Sequence, residues 1–209
     1  MERVKLAVLL SGGGTNLQAV IDHIEKGLLS AEVVLVASNK QEAYGLVRGK
    51  KHNIPTAVFP RQDYSSTEQR DRELLKGLKE SKADLVVLAG YLGRIPGFII
   101  DAFPKGIINI HPSLLPCFGG KGYYGERVHQ GVYNRGMKVT GATVHFVSEE
   151  TDGGPIILQE AVDIPFEDGV SDIQRKVLTI EHRLLPEAIQ LIADGRVTVV
   201  GNRVKIQGR

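Results

Sequence analysis

The stretch VKLAVLLSGGGTN, residues 4–16, decides the fold class of this chain. Residues 4–10 are almost continuously apolar, which is typical of a strand buried on both faces of a parallel sheet. A glycine-rich turn follows directly. Apolar residues then recur at helical spacing up to the region of Gly27, namely Leu17, Ile21, Ile24 and Leu28. A strand, a glycine turn and a helix in this order predict an α/β fold.

The first half of the chain repeats this alternation. Further strands are predicted at residues 32–38, 54–59, 84–89 and 106–110, and a second helix at residues 45–51. Ser65-x-x-Glu68 is a capping-box signature, so we expect a helix to begin there and to bury Leu74, Leu75 and Leu78. The alternation predicts a mostly parallel central sheet with right-handed crossovers and helices on both faces.

The second half predicts an antiparallel portion. Residues 140–147 and 155–162 are strand-like and are separated by a short polar loop. Ser171-x-x-Gln174 is expected to cap a long helix that ends near residue 192, and Pro186 to kink or divide it. Residues 197–200 and 204–206 predict a small hairpin around Gly201-Asn202. We find no linker, so residues 1–209 are expected to form one domain.

Bulk composition excludes several classes of protein. The 209 residues carry a formal net charge of +2, and no basic stripe indicates a nucleic-acid partner. The longest apolar stretch, residues 85–92, is far shorter than the ~20 residues that a membrane span needs. The apolar run at residues 6–10 is too short for a signal peptide. The single cysteine, Cys117, excludes an internal disulfide, and we expect a cytoplasmic protein.

The glycine loop, residues 11–16, is the first place where chemistry is expected. Its glycines allow backbone N–H groups to approach an anion, and the helix N-terminus adds partial positive charge, so the loop favours a phosphate. It matches neither the Walker A pattern nor G-x-G-x-x-G, because Ala19 and Val20 stand where a third glycine would be needed. The alternative is a tight turn in which Thr15 or Asn16 caps the helix.

Asn109 and His111 are the second candidate. They are two residues apart at the end of a predicted strand, so their side chains share a face. An amide and an imidazolium side by side can stabilise a developing oxyanion. The alternative is a structural histidine at a strand end.

A polar loop at residues 149–155 is the third candidate. Asp152 is followed by two glycines, and an aspartate near a histidine can position water for proton transfer; the alternative is an ordinary hairpin turn. A metal is not predicted, because His111, His129 and His145 lack helical ligand spacing. Cys117 is interpreted as an inert thiol rather than a nucleophile.

Taken together and in chain order, these segments resemble the phosphoribosylglycinamide formyltransferase family, the folate-dependent enzymes of purine synthesis. The resemblance rests on residues 11–19 (SGGGTNLQA), 89–91 (AGY), 109–116 (NIHPSLLP), 143–147 (TVHFV), 152–157 (DGGPII) and 181–182 (EH). The segment from Asn109 to Pro116 with a later Asp-Gly-Gly is typical of folate formyltransferases as a class. Within that class, the glycine loop followed by Asn-Leu-Gln is similar to the phosphoribosylglycinamide enzymes.

The resemblance implies a Rossmann-like formyltransferase fold and transfer of the formyl group of 10-formyltetrahydrofolate, the co-substrate, to the amine of glycinamide ribonucleotide. It implies a catalytic trio of Asn109, His111 and Asp152. It places the ribonucleotide phosphate on Gly14, Thr15 and Asn16 and the ribose on Glu181. The folate pocket falls on Leu92, Gly93, Arg94 and Ile95, together with Asn109.

The implied mechanism is direct attack of the amine on the formyl carbon. Asn109 and protonated His111 would donate hydrogen bonds to the oxyanion. Asp152 would favour the protonated form of His111 and hold a water that removes the amine's proton. No metal and no covalent enzyme intermediate are required.

The chain departs from the family pattern in three places. Gly93 stands where the family usually has an arginine, with Arg94 one step on, and Thr67 falls where the family has a basic residue on the folate side. Residues 121–125 (KGYYG) are extra length.

Other functions remain open at this point. A formyltetrahydrofolate hydrolase shares the trio, and a methionyl-tRNA formyltransferase shares the class, but both are expected to carry a further domain. A non-catalytic nucleotide-binding module would explain the glycine loop but not the trio.

Overall fold

The computed structural model describes residues 3–103 and 106–208. Its strands are β1 Val4–Leu10, β2 Ala31–Ser38, β3 Thr56–Val58, β4 Leu85–Leu88, β5 Ile107–His111, β6 Val139–Phe146, β7 Ile156–Asp163, β8 Val197–Val200 and β9 Arg203–Ile206. Its helices are α1 Thr15–Glu25, α2 Tyr44–Lys51, α3 Thr67–Glu80, α4 Gly97–Ile100, α5 Glu126–Asn134 and α6 Val170–Ala193, with a short 3-10 helix at Arg61–Asp63.

The strand pattern confirms the predicted fold class. Seven strands form one sheet in the order β3-β2-β1-β4-β5-β6-β7. The pairs β1–β2, β1–β4 and β2–β3 are parallel, and β6–β7 is antiparallel. The chain divides into two compact units, one up to Ile108 and one from Asn109 onward.

The first unit is built around β1. Leu6, Leu9 and Leu10 are fully buried, and burial of each such side chain stabilises the fold by about 1.5–3 kcal/mol. A Cβ at Gly45 would lie 2.3 Å from a methyl carbon of Leu10, so only glycine lets α2 approach β1 this closely. The apolar spacing predicts that α1 continues to Leu28, but the helix ends at Glu25 and Leu28 is 65% exposed.

The second unit is built on the β6–β7 ladder and the long helix α6. The predicted hairpin of β6 and β7 and the small hairpin of β8 and β9 around Gly201-Asn202 are both confirmed. A Cβ at Gly141 would lie 1.9 Å from the Glu160 carbonyl oxygen, so the pairing requires glycine there. On α6, the side chains of Ile173, Val177 and Leu185 are almost completely buried.

Two predicted helix caps were wrong. The cap of α3 is Ser66 rather than Ser65: the Ser66 hydroxyl accepts the Gln69 N–H at 3.0 Å. The Gln69 side chain reaches back to the Ser65 N–H at 2.8 Å, and Leu75 is only half-buried. The cap of α6 is Gly169 rather than Ser171, because the Asp172 carboxylate accepts the Gly169 N–H at 3.1 Å.

Proline and short elements account for the remaining differences. Pro186 does not divide α6, which continues from Val170 to Ala193 with the proline buried inside it. Strand β3 is shorter than predicted. Helices α4 and α5 were not predicted, since four and nine residues give little periodicity.

Candidate active site

The side-chain amide of Asn109 forms a hydrogen bond with His145, a residue of β6. Its Nδ2 donates to Nε2 of His145 at 3.1 Å, and Nδ1 of His145 donates to the Phe146 carbonyl at 2.8 Å. A carbonyl only accepts, so the proton of this ring lies on Nδ1 and leaves Nε2 as the acceptor. Burial lowers the pKa of His145, against the opposing effects of the Phe146 hydrogen bond and of Asp152, which fits a neutral ring. No acceptor among residues 3–103 and 106–208 engages the second Nδ2–H of Asn109.

His111, the last residue of β5, is fixed through one ring nitrogen. Its Nε2 lies 2.8 Å from the Phe118 carbonyl oxygen, and since that oxygen only accepts, Nε2 carries a proton. Its Nδ1 faces Oδ2 of Asp152 at 3.7 Å. The ring is 4% exposed. A proton gained at Nδ1 would therefore lie beside a carboxylate in a poorly solvated place.

Asp152 lies between the two imidazoles. Its Oδ2 accepts the Gly120 N–H at 2.8 Å, and its Oδ1 lies 3.7 Å from Nε2 of His145. The residue has a φ of 57°, a left-handed conformation that aspartate tolerates better than most residues. A cavity of about 430 Å³ borders the carboxylate; its lining comes from the loop around Leu115 and Pro116, from Gly153 and Gly154, and from the β8–β9 turn.

A hydrogen-bond network fixes the loop that follows His111. The Ser113 hydroxyl donates to the Cys117 carbonyl at 2.5 Å, and the Thr143 hydroxyl donates to the Ser113 carbonyl at 2.6 Å. Thr143 also accepts the Leu115 N–H at 3.1 Å, and Gln159 donates to the Leu115 carbonyl at 2.9 Å. Cys117 contributes its backbone, while the residue itself is exposed.

His129 on α5 is a further buried histidine beside this group. It is 3% exposed, and its Nδ1 has no hydrogen-bond partner among the described residues. Burial, and secondly the charge of His111, lower the pKa of His129 to about 4. The ring is therefore neutral at physiological pH.

The glycine loop lies in the first unit, between β1 and α1. Gly14 is the residue before the helix, in a left-handed conformation with a φ of 70°, and no side chain caps α1. The alternative of Thr15 or Asn16 as a cap is therefore wrong. A Cβ at Gly14 would lie 2.6 Å from the Gly45 Cα, whereas Gly13 is exposed and has nothing within 4 Å of such an atom.

Ser11 ties this loop to the segment expected to bind folate. Its hydroxyl donates to Oδ1 of the Asn39 side chain at 2.6 Å and accepts the Leu92 N–H at 2.8 Å. In that segment Leu92 and Arg94 are exposed and Ile95 is buried. A Cβ at Gly93 would lie within 2.6–2.7 Å of the Tyr91 ring, so the glycine permits this ring position.

The structure brings Asn109, His111 and Asp152 together in the second unit, joined by His145. Glu181 lies in the same unit on α6 and is buried. The sequence interpretation did not find the parts that His145, Phe118 and Gly120 play. The contact of His145 with Asn109 could not be inferred because His145 lies within a strand-like segment. Phe118 and Gly120 contribute backbone groups, which do not depend on residue type.

Residues 3–103 and 106–208 contain no helix that is both long and apolar enough to cross a membrane. No three His, Cys, Asp or Glu side chains in those ranges are grouped so that they could hold a metal ion.

Comparison with protein families and curated relatives gives a consistent result. The family model described as formyl transferase matches residues 4–189, in both units. The phosphoribosylglycinamide formyltransferase of Haemophilus influenzae is 39% identical over 205 residues, which are 98% of this chain and 94% of that protein. The trifunctional purine biosynthetic protein adenosine-3 of Gallus gallus is 43% identical over 94% of this chain, which spans only 19% of that longer protein.

Comparison with solved structures agrees. Glycinamide ribonucleotide transformylase 1 from Symbiobacterium toebii superposes with a TM-score of 0.92 at 42% identity, covering 98% of this chain and 94% of that one. A formyltetrahydrofolate deformylase from Pseudomonas syringae has a TM-score of 0.88 at 27% identity, and the match covers 98% of this chain and 66% of that one.

Proposed function

The chain belongs to the formyl transferase family, and from that premise we propose that it transfers a formyl group from 10-formyltetrahydrofolate to the amine of glycinamide ribonucleotide. Relatives that carry this activity in their names match almost their full length and almost all of this chain. The observation that carries the proposal is the arrangement of Asn109, His111 and Asp152. It combines an amide with one unengaged N–H and an imidazole nitrogen beside a carboxylate.

Asn109 is proposed to stabilise the negative charge that develops on the formyl oxygen. One Nδ2–H is held by His145, which fixes the plane of the amide, and the other is available to the substrate. A donor oriented before the reaction costs no reorganisation in the transition state. When bound, the folate co-substrate supplies the electrophilic carbonyl carbon.

His111 and Asp152 are proposed to manage the proton. Nε2 of His111 is committed to the Phe118 carbonyl, so Nδ1 is the nitrogen that gains or loses a proton. Asp152 stabilises the resulting cation at 3.7 Å, and it is also placed to orient a water that removes the proton of the attacking amine.

The binding roles remain proposals that follow from the resemblance. Gly14, Thr15 and Asn16 would bind the ribonucleotide phosphate, because exposed glycines and the start of an eleven-residue helix present N–H groups. Glu181 would bind the ribose. The folate would contact residues 92–95, where Arg94 is exposed. A single functional domain, a cytoplasmic location and the lack of a nucleic-acid partner also stay predictions.

An amine-dependence assay tests the proposal. The purified chain is mixed with 10-formyltetrahydrofolate, with and without glycinamide ribonucleotide, and tetrahydrofolate is followed over time. We expect release only when the ribonucleotide is present, together with one equivalent of formylated ribonucleotide. Release without the ribonucleotide, with formate as the product, would establish the hydrolase instead. No release under either condition would overturn both readings.

A further inference from the structure

Residues 121–125 (KGYYG) lie between the loop that follows His111 and α5. Two tyrosines stand side by side in this segment, and their surroundings differ. The Tyr123 ring meets the Phe118 ring edge-on, with centroids 5.6 Å apart and planes at 80°. Tyr124 is 43% exposed, and its ring lies 4.8 Å from the Arg127 guanidinium instead. Of the two rings, that of Tyr123 packs edge-on against Phe118, in the loop that holds His111.

Phe118 is the residue whose carbonyl holds Nε2 of His111, and its backbone is in an unusual conformation. Its φ is 54°, in the left-handed region that a bulky residue seldom adopts. Such a conformation is strained in a residue other than glycine, and it persists only where surrounding contacts impose it. The position of the Phe118 carbonyl therefore depends on what packs against the Phe118 side chain.

The Phe118 ring is enclosed by Tyr123 and by α5. A Cβ at Gly131 would lie 3.1 Å from a ring carbon of Phe118 and 3.1 Å from one of Tyr123, so α5 packs directly on both rings. The Arg135 guanidinium lies 5.9 Å from the centroid of the Phe118 ring. Phe118 is half-buried, and these contacts restrict its ring on the sides that face Tyr123 and α5.

The same segment also reaches Asp152. The Tyr123 N–H donates to the Gly120 carbonyl at 3.3 Å, and the Gly120 N–H donates to Oδ2 of Asp152 at 2.8 Å. One short stretch of chain thus contacts both Phe118, whose carbonyl accepts from His111, and Gly120, whose N–H binds Asp152.

We propose that Tyr123 is a positioning residue: its ring, acting through Phe118, holds the proton of His111 on Nε2 and turns Nδ1 toward Asp152. The proposal rests on the proposed function for its kinetic consequence, but its structural claim concerns His111 alone. Removing the ring frees Phe118 to leave the left-handed conformation, and its carbonyl then no longer selects one tautomer of His111. The ring matters and the hydroxyl does not.

The test compares Tyr123→Ala with Tyr123→Phe and, as the matched control, Tyr124→Ala. Displacing a catalytic group by about 1 Å can cost about a hundredfold in rate. We expect kcat of Tyr123→Ala to fall about ten- to a hundredfold with little change in either KM, while Tyr123→Phe and Tyr124→Ala stay within about twofold of the parent.

Nitrogen NMR of histidine-labelled protein gives a readout that does not depend on turnover. The His111 signals are assigned by their loss in His111→Asn. In mildly alkaline buffer the parent protein should show Nε2 protonated and Nδ1 unprotonated, and Tyr123→Ala should show signals averaged between the two tautomers. An unchanged His111 spectrum in Tyr123→Ala, or a loss of activity in Tyr123→Phe equal to that in Tyr123→Ala, overturns the proposal.

Gly131→Ala keeps the proposal testable if Tyr123→Ala does not fold. Alanine favours a helix more than glycine does, so α5 should be retained while the new methyl group crowds both rings. We expect a stable protein with a several-fold lower kcat and an altered His111 spectrum; an unaltered spectrum and rate would overturn the proposal. If the parent chain itself fails to transfer formyl groups, the proposed function fails, and the spectra still decide the role of Tyr123.

Discussion

Replacing Asp152 by Asn removes one charge from the candidate site and little else. Asparagine has almost the same shape, tolerates the left-handed backbone of this position, and can still accept the Gly120 N–H through its carbonyl oxygen. The change therefore isolates the interaction between the carboxylate and a protonated His111. Binding of either substrate should change little, because that interaction matters only when the proton is on the ring.

The magnitude follows from the distance. Opposite charges separated by the 3.7 Å between Nδ1 of His111 and Oδ2 of Asp152 interact by about 4 kcal/mol at an effective dielectric constant of about 20. Both side chains are largely buried, so solvent screens the pair only weakly. A loss of about 4 kcal/mol in the transition state corresponds to about a thousandfold in kcat, within the range of about a hundred- to ten-thousandfold for acid–base groups.

The assay is steady-state transfer with both substrates, with each ligand's dissociation constant measured separately. Glu150→Gln is the matched control, because it neutralises an exposed carboxylate in the same loop and should leave kcat within about twofold. Thermal unfolding checks that the Asp152→Asn protein is folded. A kcat within about threefold of the parent would refute the reasoning and leave Asp152 as a turn residue.

Three further predictions concern His111, the glycine loop and His129. His111→Asn should lower kcat by about a hundred- to ten-thousandfold while both ligands still bind in titrations, because an amide cannot carry the cation; unchanged turnover would exclude His111. Gly13→Ala, at a site with open space, should weaken ribonucleotide binding with unchanged melting temperature, whereas Gly14→Val should lower the melting temperature, since its Cβ meets the Gly45 backbone at 2.6 Å; equal effects on stability would contradict the loop geometry. For His129, whose pKa is lowered from 6.5 to about 4, the unfolded chain binds the proton first, so stability should fall by up to about 3 kcal/mol as pH drops from 6.5 to 4. In urea titrations, His129→Leu should reduce the fall in the free energy of unfolding between pH 6.5 and 4. An unchanged fall in that variant would contradict the prediction.

The sheet could be predicted from the sequence because its strands are apolar and are bounded by polar or glycine-containing turns. β1 is predicted at its observed limits, since Leu10 is followed at once by a polar and glycine turn. The α6 cap was misplaced because Ser171 resembles a cap in sequence, whereas in the structure Asp172 holds the Gly169 N–H. A capping bond depends on one side-chain rotamer, which residue types do not specify.

The site was predictable only where side chains follow strand geometry. Asn109 and His111 share a face because they are two apart in β5, and this spacing is visible in the sequence. The contact of Phe118 with His111 could not be predicted, because it is made by a backbone carbonyl, which every residue has. The burial of His129 was not predicted, because α5 is short and its sequence does not show which side chains are buried.

In the proposed mechanism, the two histidines beside Asp152 differ in a way that assigns proton transfer to one of them. Both nitrogens of His145 are used: Nδ1 donates to the Phe146 carbonyl and Nε2 accepts from Asn109. A proton added to its Nε2 would break the hydrogen bond from Asn109, because both groups would then be donors. His111 loses nothing on protonation, since its Nε2–H already donates to Phe118 and its Nδ1 faces the carboxylate. In the proposed mechanism Asp152, which lies 3.7 Å from both rings, therefore stabilises a cation on His111, and His145 holds Asn109 in place.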